Sequence, residues 1–122
     1  MSYIKVELPE KLKEQIKNTL SIIAESDGGK IRAGLNEVTK SIERKNAQLV
    51  VMAEDVTPPE ILYHIPLLCE EKKIPYAYIS KQKDLGKAIG INVSSSSVAV
   101  ENVGKGNKGI LEEIIQRTEE LK

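Results

Sequence analysis

The chain has 122 residues, 18 basic and 18 acidic side chains, 40% apolar and 30% charged residues, and a formal net charge of zero. One soluble domain with a real core is expected, in the cytoplasm: no apolar run nears the roughly 18 residues a membrane span needs, and Met1–Lys5 carries no signal segment. A single cysteine (Cys69) and a single histidine (His64) exclude an internal disulfide and multi-cysteine or multi-histidine metal sites, neutrality argues against bulk-charge coating of nucleic acid, and the lack of Trp and Phe disfavours base-stacking sheet modules.

Pro9 opens a helical pattern in which Leu12, Ile16, Leu20 and Ile23 form one stripe, stopped by Asp27-Gly28-Gly29. Lys30–Ala33 is a short strand candidate. A second helix follows from Asn36, its expected N-cap, to Arg44. Leu49–Ala53 is continuously apolar, as in a central strand buried on both faces. Thr57-Pro58-Pro59-Glu60 reads as a capped helix start, and the helix carries Ile61, Leu62, Ile65, Leu68 and Cys69, with a kink expected at Pro66. Tyr76–Ile79 is a further strand. Ser80 is expected to cap a short helix with Leu85, Ala88 and Ile89 that ends at Gly90. Ile91–Ser97 reads as a loop, Val98–Val100 as a short last strand, Gly104–Gly109 as a link, and Ile110 to Leu121 as a terminal amphipathic helix. The order predicts an α/β fold, one mixed sheet between helical layers, in a single domain spanning residues 1–122.

Three loops could carry chemistry, since ligands meet layered α/β folds at strand ends. The segment 30–45 gathers Lys30, Arg32, Lys40, Arg44 and Lys45 against Glu37 and Glu43. Asn36, Glu37 and Lys40 at a helix start combine an amphoteric group, an acceptor and a donor, which suits guanine edges as well as phosphate. The same residues also describe a plain solvated helix face. Glu54-Asp55 could hold a catalytic or phospho-accepting acid, or Asp55 could close an Asx turn onto Thr57. The serines of Gly90–Ser97 could donate to phosphates or belong to an inert loop, and Ile91 and Val93 are apolar residues there that no helix pattern claims. His64 reads as exposed and Cys69 as a small buried hydrophobe.

Gly34-Leu35-Asn36-Glu37-Val38-Thr39-Lys40 resembles the G-x-N-E-x-x-K motif of the L-seven-Ae family of kink-turn RNA-binding proteins. The resemblance continues through Leu49–Asp55, His64–Lys72, Ile74–Tyr78 and Leu85–Gly90, and within the family it is nearest to archaeal ribosomal members. It implies a three-layer α-β-α sandwich with a mixed four-stranded sheet. It also implies a role in the large ribosomal subunit, in box C/D and H/ACA guide ribonucleoproteins and in ribonuclease P, where tRNA is processed. On that resemblance Gly34 is the motif glycine, and Asn36, Glu37 and Lys40 contact the guanines of tandem sheared G·A pairs. Lys30, Arg32 and Arg44 lie near phosphates. Ile91, Asn92, Val93 and Ser94 cover the bend, and Ile61 touches a flipped-out nucleotide. Ala33 stands where relatives often carry a basic residue, and Ser94–Ser97 is more polar than their loop.

The expected protein is therefore a non-enzymatic, cofactor-free RNA binder, monomeric when free. Its implied partners are rRNA, guide RNA and ribonuclease P RNA, with a Nop-type scaffold and fibrillarin in guide particles. The alternatives are a phospho-accepting receiver-like signalling domain using Asp55 and Lys81, a purely structural ribosomal protein, and a protein-interaction module.

Overall fold

The computed structural model describes residues 8–55 and 61–120, and side chains at all of these except 61–63. In chain order the elements are α1 (Glu10–Glu25), β1 (Gly29–Ala33), α2 (Leu35–Glu43), β2 (Leu49–Ala53) and α3 (Ile61–Lys72). They continue with β3 (Tyr76–Ile79), α4 (Gln82–Ala88), β4 (Ser97–Val103) and α5 (Lys108–Glu120). The strands form one sheet in the order β1-β4-β2-β3. β4 runs antiparallel to β1 and β2, and β2 runs parallel to β3.

Every residue of β2 is buried, because each face of the sheet is covered. Leu49, Val51 and Ala53 point into a core with Leu12, Ile16, Leu20 and Ile23 of α1, Leu85 of α4, and Leu111 and Ile114 of α5. Val50 and Met52 point the other way, against Val38 and Ile42 of α2 and Ile65 and Cys69 of α3. This is the three-layer α/β sandwich with a mixed four-stranded sheet. Each fully buried aliphatic side chain contributes about 1.5–3 kcal/mol through removal from water. Since α2, α3 and α4 follow β1, β2 and β3, their amino ends collect at one edge of the sheet, where β4 begins.

Several local expectations change. Gly34, with φ 94° and ψ 151°, is the N-cap of α2, so Asn36 lies inside the first turn and does not cap it. Lys81, not Ser80, flanks α4, and the side chain of Asp55 does the capping: its Oδ1 accepts the backbone N–H of Gln82 at 2.9 Å. Ser80 instead accepts from Lys13. The last strand extends from Ser97 to Val103, three residues beyond Val100, and α5 starts at Lys108, which shortens the preceding link. α3 continues through Pro66 as one helix. The Thr57–Glu60 helix start and Leu121 lie outside the described residues.

Candidate nucleic-acid interface

Two segments meet at the edge where α2 begins. The N–H of Gly34 donates to the carbonyl of Ser97 at 3.0 Å, joining the start of α2 to the start of β4. The N–H of Ala53 donates to the carbonyl of Ser96 at 2.9 Å, so the end of β2 holds the same stretch. The end of loop 91–96, at Ser96, and the first residue of β4 are therefore fixed beside the start of α2 and the end of β2. The serine run is held by its own hydrogen bonds: Ser95 and Ser97 are buried, Ser95 Oγ donates to the Ser97 carbonyl at 2.9 Å, and Ser95 N–H donates to the Gln82 carbonyl at 3.1 Å.

Gly86 of α4 sets how closely the loop approaches. A Cβ on Gly86 would lie 2.0 Å from the carbonyl oxygen of Val93, so the contact exists only with glycine there. Pinned in this way, the loop presents Ile91 and Val93 outward at 37% and 67% exposure. Asn92 and Ser94 are exposed beside them. Lys83 and Lys87 of α4 join these four residues around an open cleft of about 330 Å³. A larger cleft of about 750 Å³ lies between α1 and α5 and contains none of the site residues.

Asn36, Glu37 and Lys40 are all exposed on α2. Glu37 and Lys40 approach only to 3.9 Å, a loose, solvated pair that leaves both able to engage a ligand. Asn36 and Arg44 have no side-chain partner among the described residues. The unpaired N–H groups of the first turn, with the helix dipole, add donors for an anion or a base edge. Glu37 in that turn is an acceptor among these donors, a mixture that a purely phosphate-binding helix end lacks.

Lys30 and Arg32 sit on β1 and point to the α2 side of the sheet. Both engage Glu101 of β4, at 3.7 Å from Lys30 Nζ and 3.3 Å from Arg32 Nε. Ser41 Oγ of α2 donates to the other oxygen of that carboxylate at 2.6 Å. Burial alone would raise the Glu101 carboxyl pKa, but the hydrogen bonds from Ser41 and Arg32 and the charges of Arg32 and Lys30 outweigh it and hold the group below its ordinary range. Sequence reasoning missed Glu101, although the spacing Val98, Val100, Val103 departs from strict alternation just there. It also missed Lys13, buried on α1, whose ammonium donates to Glu54 at 2.9 Å and Ser80 at 3.1 Å and braces the ends of β2 and β3. The signal was available: Lys13 falls on the buried face with Leu12, Ile16 and Leu20.

Ile61 opens the described part of α3, and its side chain lies outside the described residues. His64 is exposed, and Cys69 is buried. Among the described residues no cluster of three His, Cys, Asp or Glu could hold a metal ion, and no helix is long and apolar enough to cross a membrane. The antiparallel β4 also departs from the all-parallel sheet of receiver domains.

A mixed four-stranded sheet between helical layers, with a glycine-capped Asn-Glu helix start and a pinned loop that exposes Ile91 and Val93, defines a recognisable class. Residues 14–109 match the Ribosomal protein L7Ae/L30e/S12e/Gadd45 family, and the chain belongs to that family. Among solved structures it is similar to a Giardia lamblia 15.5 kD RNA-binding protein at 30% identity and a TM-score of 0.84. The match covers 94% of this chain and 93% of that one.

Proposed function

We propose that this protein binds RNA without catalysis and that its ligand is the kink-turn, a sharp bend built on tandem sheared G·A pairs. The observation that carries this is the first turn of α2: Asn36, Glu37 and Lys40 stand exposed together beside a loop whose apolar tips face solvent. Glu37 accepts from guanine N1–H and N2–H, Lys40 donates to O6 or N7, and Asn36 supplies either. Lys30, Arg32 and Arg44 neutralise phosphates flanking the bend. Ile91 and Val93, with Asn92 and Ser94, cover its outer side, and Ile61 contacts the extruded nucleotide.

The mechanism is a population shift. The protein binds the bent RNA better than the open one, so the equilibrium moves to the bent form, whose stems are then presented to other proteins. The RNAs of this role are rRNA, box C/D and H/ACA guide RNA and ribonuclease P RNA. The partners in guide particles are a Nop-type scaffold and fibrillarin, and the free protein is a cytoplasmic monomer with no cofactor.

A gel-shift titration at about 150 mM salt, where weak charge binding is screened, tests this. One hairpin carries a kink-turn, and its control has the G·A pairs replaced by Watson–Crick pairs. Tight binding to the first alone is expected, and equal or absent binding to both would overturn the proposal.

A further inference from the structure

Glu101 stands at an irregularity. Ile31 pairs with Val100 and Lys30 with Asn102, so Glu101 is the extra residue of a β-bulge in β4. Bulges re-aim side chains and are common beside functional sites. The backbone cost is met locally, because Gln48 Nε2 donates to the Glu101 carbonyl at 3.1 Å. The re-aimed carboxylate, at 11% exposure, then reaches three groups on two elements: Lys30 and Arg32 on β1 and Ser41 on α2.

We propose that Glu101 is a positioning residue of the RNA-binding surface, fixing the phosphate-facing cations of β1 in register with the base-reading helix α2. This rests on the kink-turn reading above. Lys30 and Arg32 have long, flexible stems, and ordering such chains on binding opposes affinity. Glu101 orders Arg32 beforehand through a hydrogen bond and draws Lys30 toward the same carboxylate more loosely, at 3.7 Å. Its bond to Arg32 uses Nε, which leaves the terminal guanidinium nitrogens to donate outward, in the fork that suits phosphate. Two cations against one carboxylate also leave the cluster with net positive charge. Ser41, the residue after Lys40, links the same carboxylate to the helix that carries Asn36, Glu37 and Lys40. A carboxylate that only masked charge would need neither the bulge nor the bond to α2.

The test compares the parent protein with Glu101→Gln and Ser41→Ala, each titrated with the kink-turn hairpin and its Watson–Crick control, and reads the ratio of the two affinities. Both variants are expected to lower that ratio about five-fold, the equivalent of one lost hydrogen bond. Circular dichroism checks folding, and Ser41→Ala, which removes only a buried hydroxyl, decides the matter if Glu101→Gln unfolds. An unchanged ratio in the folded variants overturns the inference, whether both affinities rise in parallel, as a charge mask requires, or stay constant. A parent protein that does not discriminate between the RNAs would overturn the kink-turn reading, and this inference with it.

Discussion

Gly34 donates its N–H to the carbonyl of Ser97 at 3.0 Å, and through that bond the start of α2 and the loop entering β4 become one surface. The two segments are more than sixty residues apart in sequence. Gly34 can make this bond because it adopts φ 94° and ψ 151°, a region essentially closed to residues with a Cβ. The space around it is open, with no atom within 4 Å of a Cβ built there. Gly34→Ala therefore suffers backbone strain and no clash. A loss of about 1–3 kcal/mol is expected in urea unfolding. A loss below about 0.5 kcal/mol would mean that the turn relaxes readily.

Gly86→Ala has the opposite character. Its Cβ would meet the Val93 carbonyl, so the loop must move. The expected result is a clear drop in RNA affinity, about ten-fold on the assumption of one displaced contact of 1–3 kcal/mol. Unchanged affinity in a variant whose unfolding is normal would show that loop 91–94 contributes nothing to binding.

Glu37→Ala removes an exposed acceptor from α2 and no core contact. Thermal unfolding should be nearly unchanged. Affinity for the kink-turn hairpin should fall about ten-fold or more, in line with the 1–3 kcal/mol of a bidentate base contact. Affinity for the Watson–Crick control should not fall.

Asp55→Ala removes the acceptor for the Gln82 N–H at the start of α4. Loss of such a cap costs about 1 kcal/mol, readable in urea unfolding. The same bond assigns Asp55 a structural task, so acetyl phosphate should leave it unlabelled. Stoichiometric labelling would favour the receiver-like alternative.

Glu101 gives a pH signature. Its native carboxyl titrates below the ordinary value of 4.5, so the ionised form favours the folded state. That contribution is complete above 4.5 and is lost as pH falls through the lower native value. The melting temperature of the parent should exceed that of Glu101→Gln at pH 7, and the gap should close on acidification below 4.5. A gap that is the same at pH 7 and at about pH 2.5 would contradict the network.

Much of the fold was legible in the sequence because the layers write themselves into hydrophobic periodicity. The all-apolar Leu49–Ala53 announced a strand covered on both faces, and Leu12, Ile16, Leu20 and Ile23 announced the α1 stripe. The caps were less legible, because capping depends on tertiary partners. Asp55 caps a helix that starts 27 residues later in the chain, and no local pattern around Ser80 carries that information. Asn36 looked like a cap by residue type, yet the positive φ of Gly34 made the preceding residue the boundary. The exposed trio on α2 was legible from the motif, whereas the pattern left open whether Ile91 and Val93 pack inward or face out, and the structure turns both outward. The Glu101 cluster was not, because a bulge hides in the register between two strands.

Stabilisation of a bent RNA by this protein is read out by a fluorescence energy-transfer titration. A kink-turn duplex labelled on its two stems, held without divalent ions so that it begins extended, receives increasing protein. A saturable rise in transfer is expected that is absent for the Watson–Crick control and for Glu37→Ala. Binding without a rise in transfer, or the same rise with the control, would contradict it.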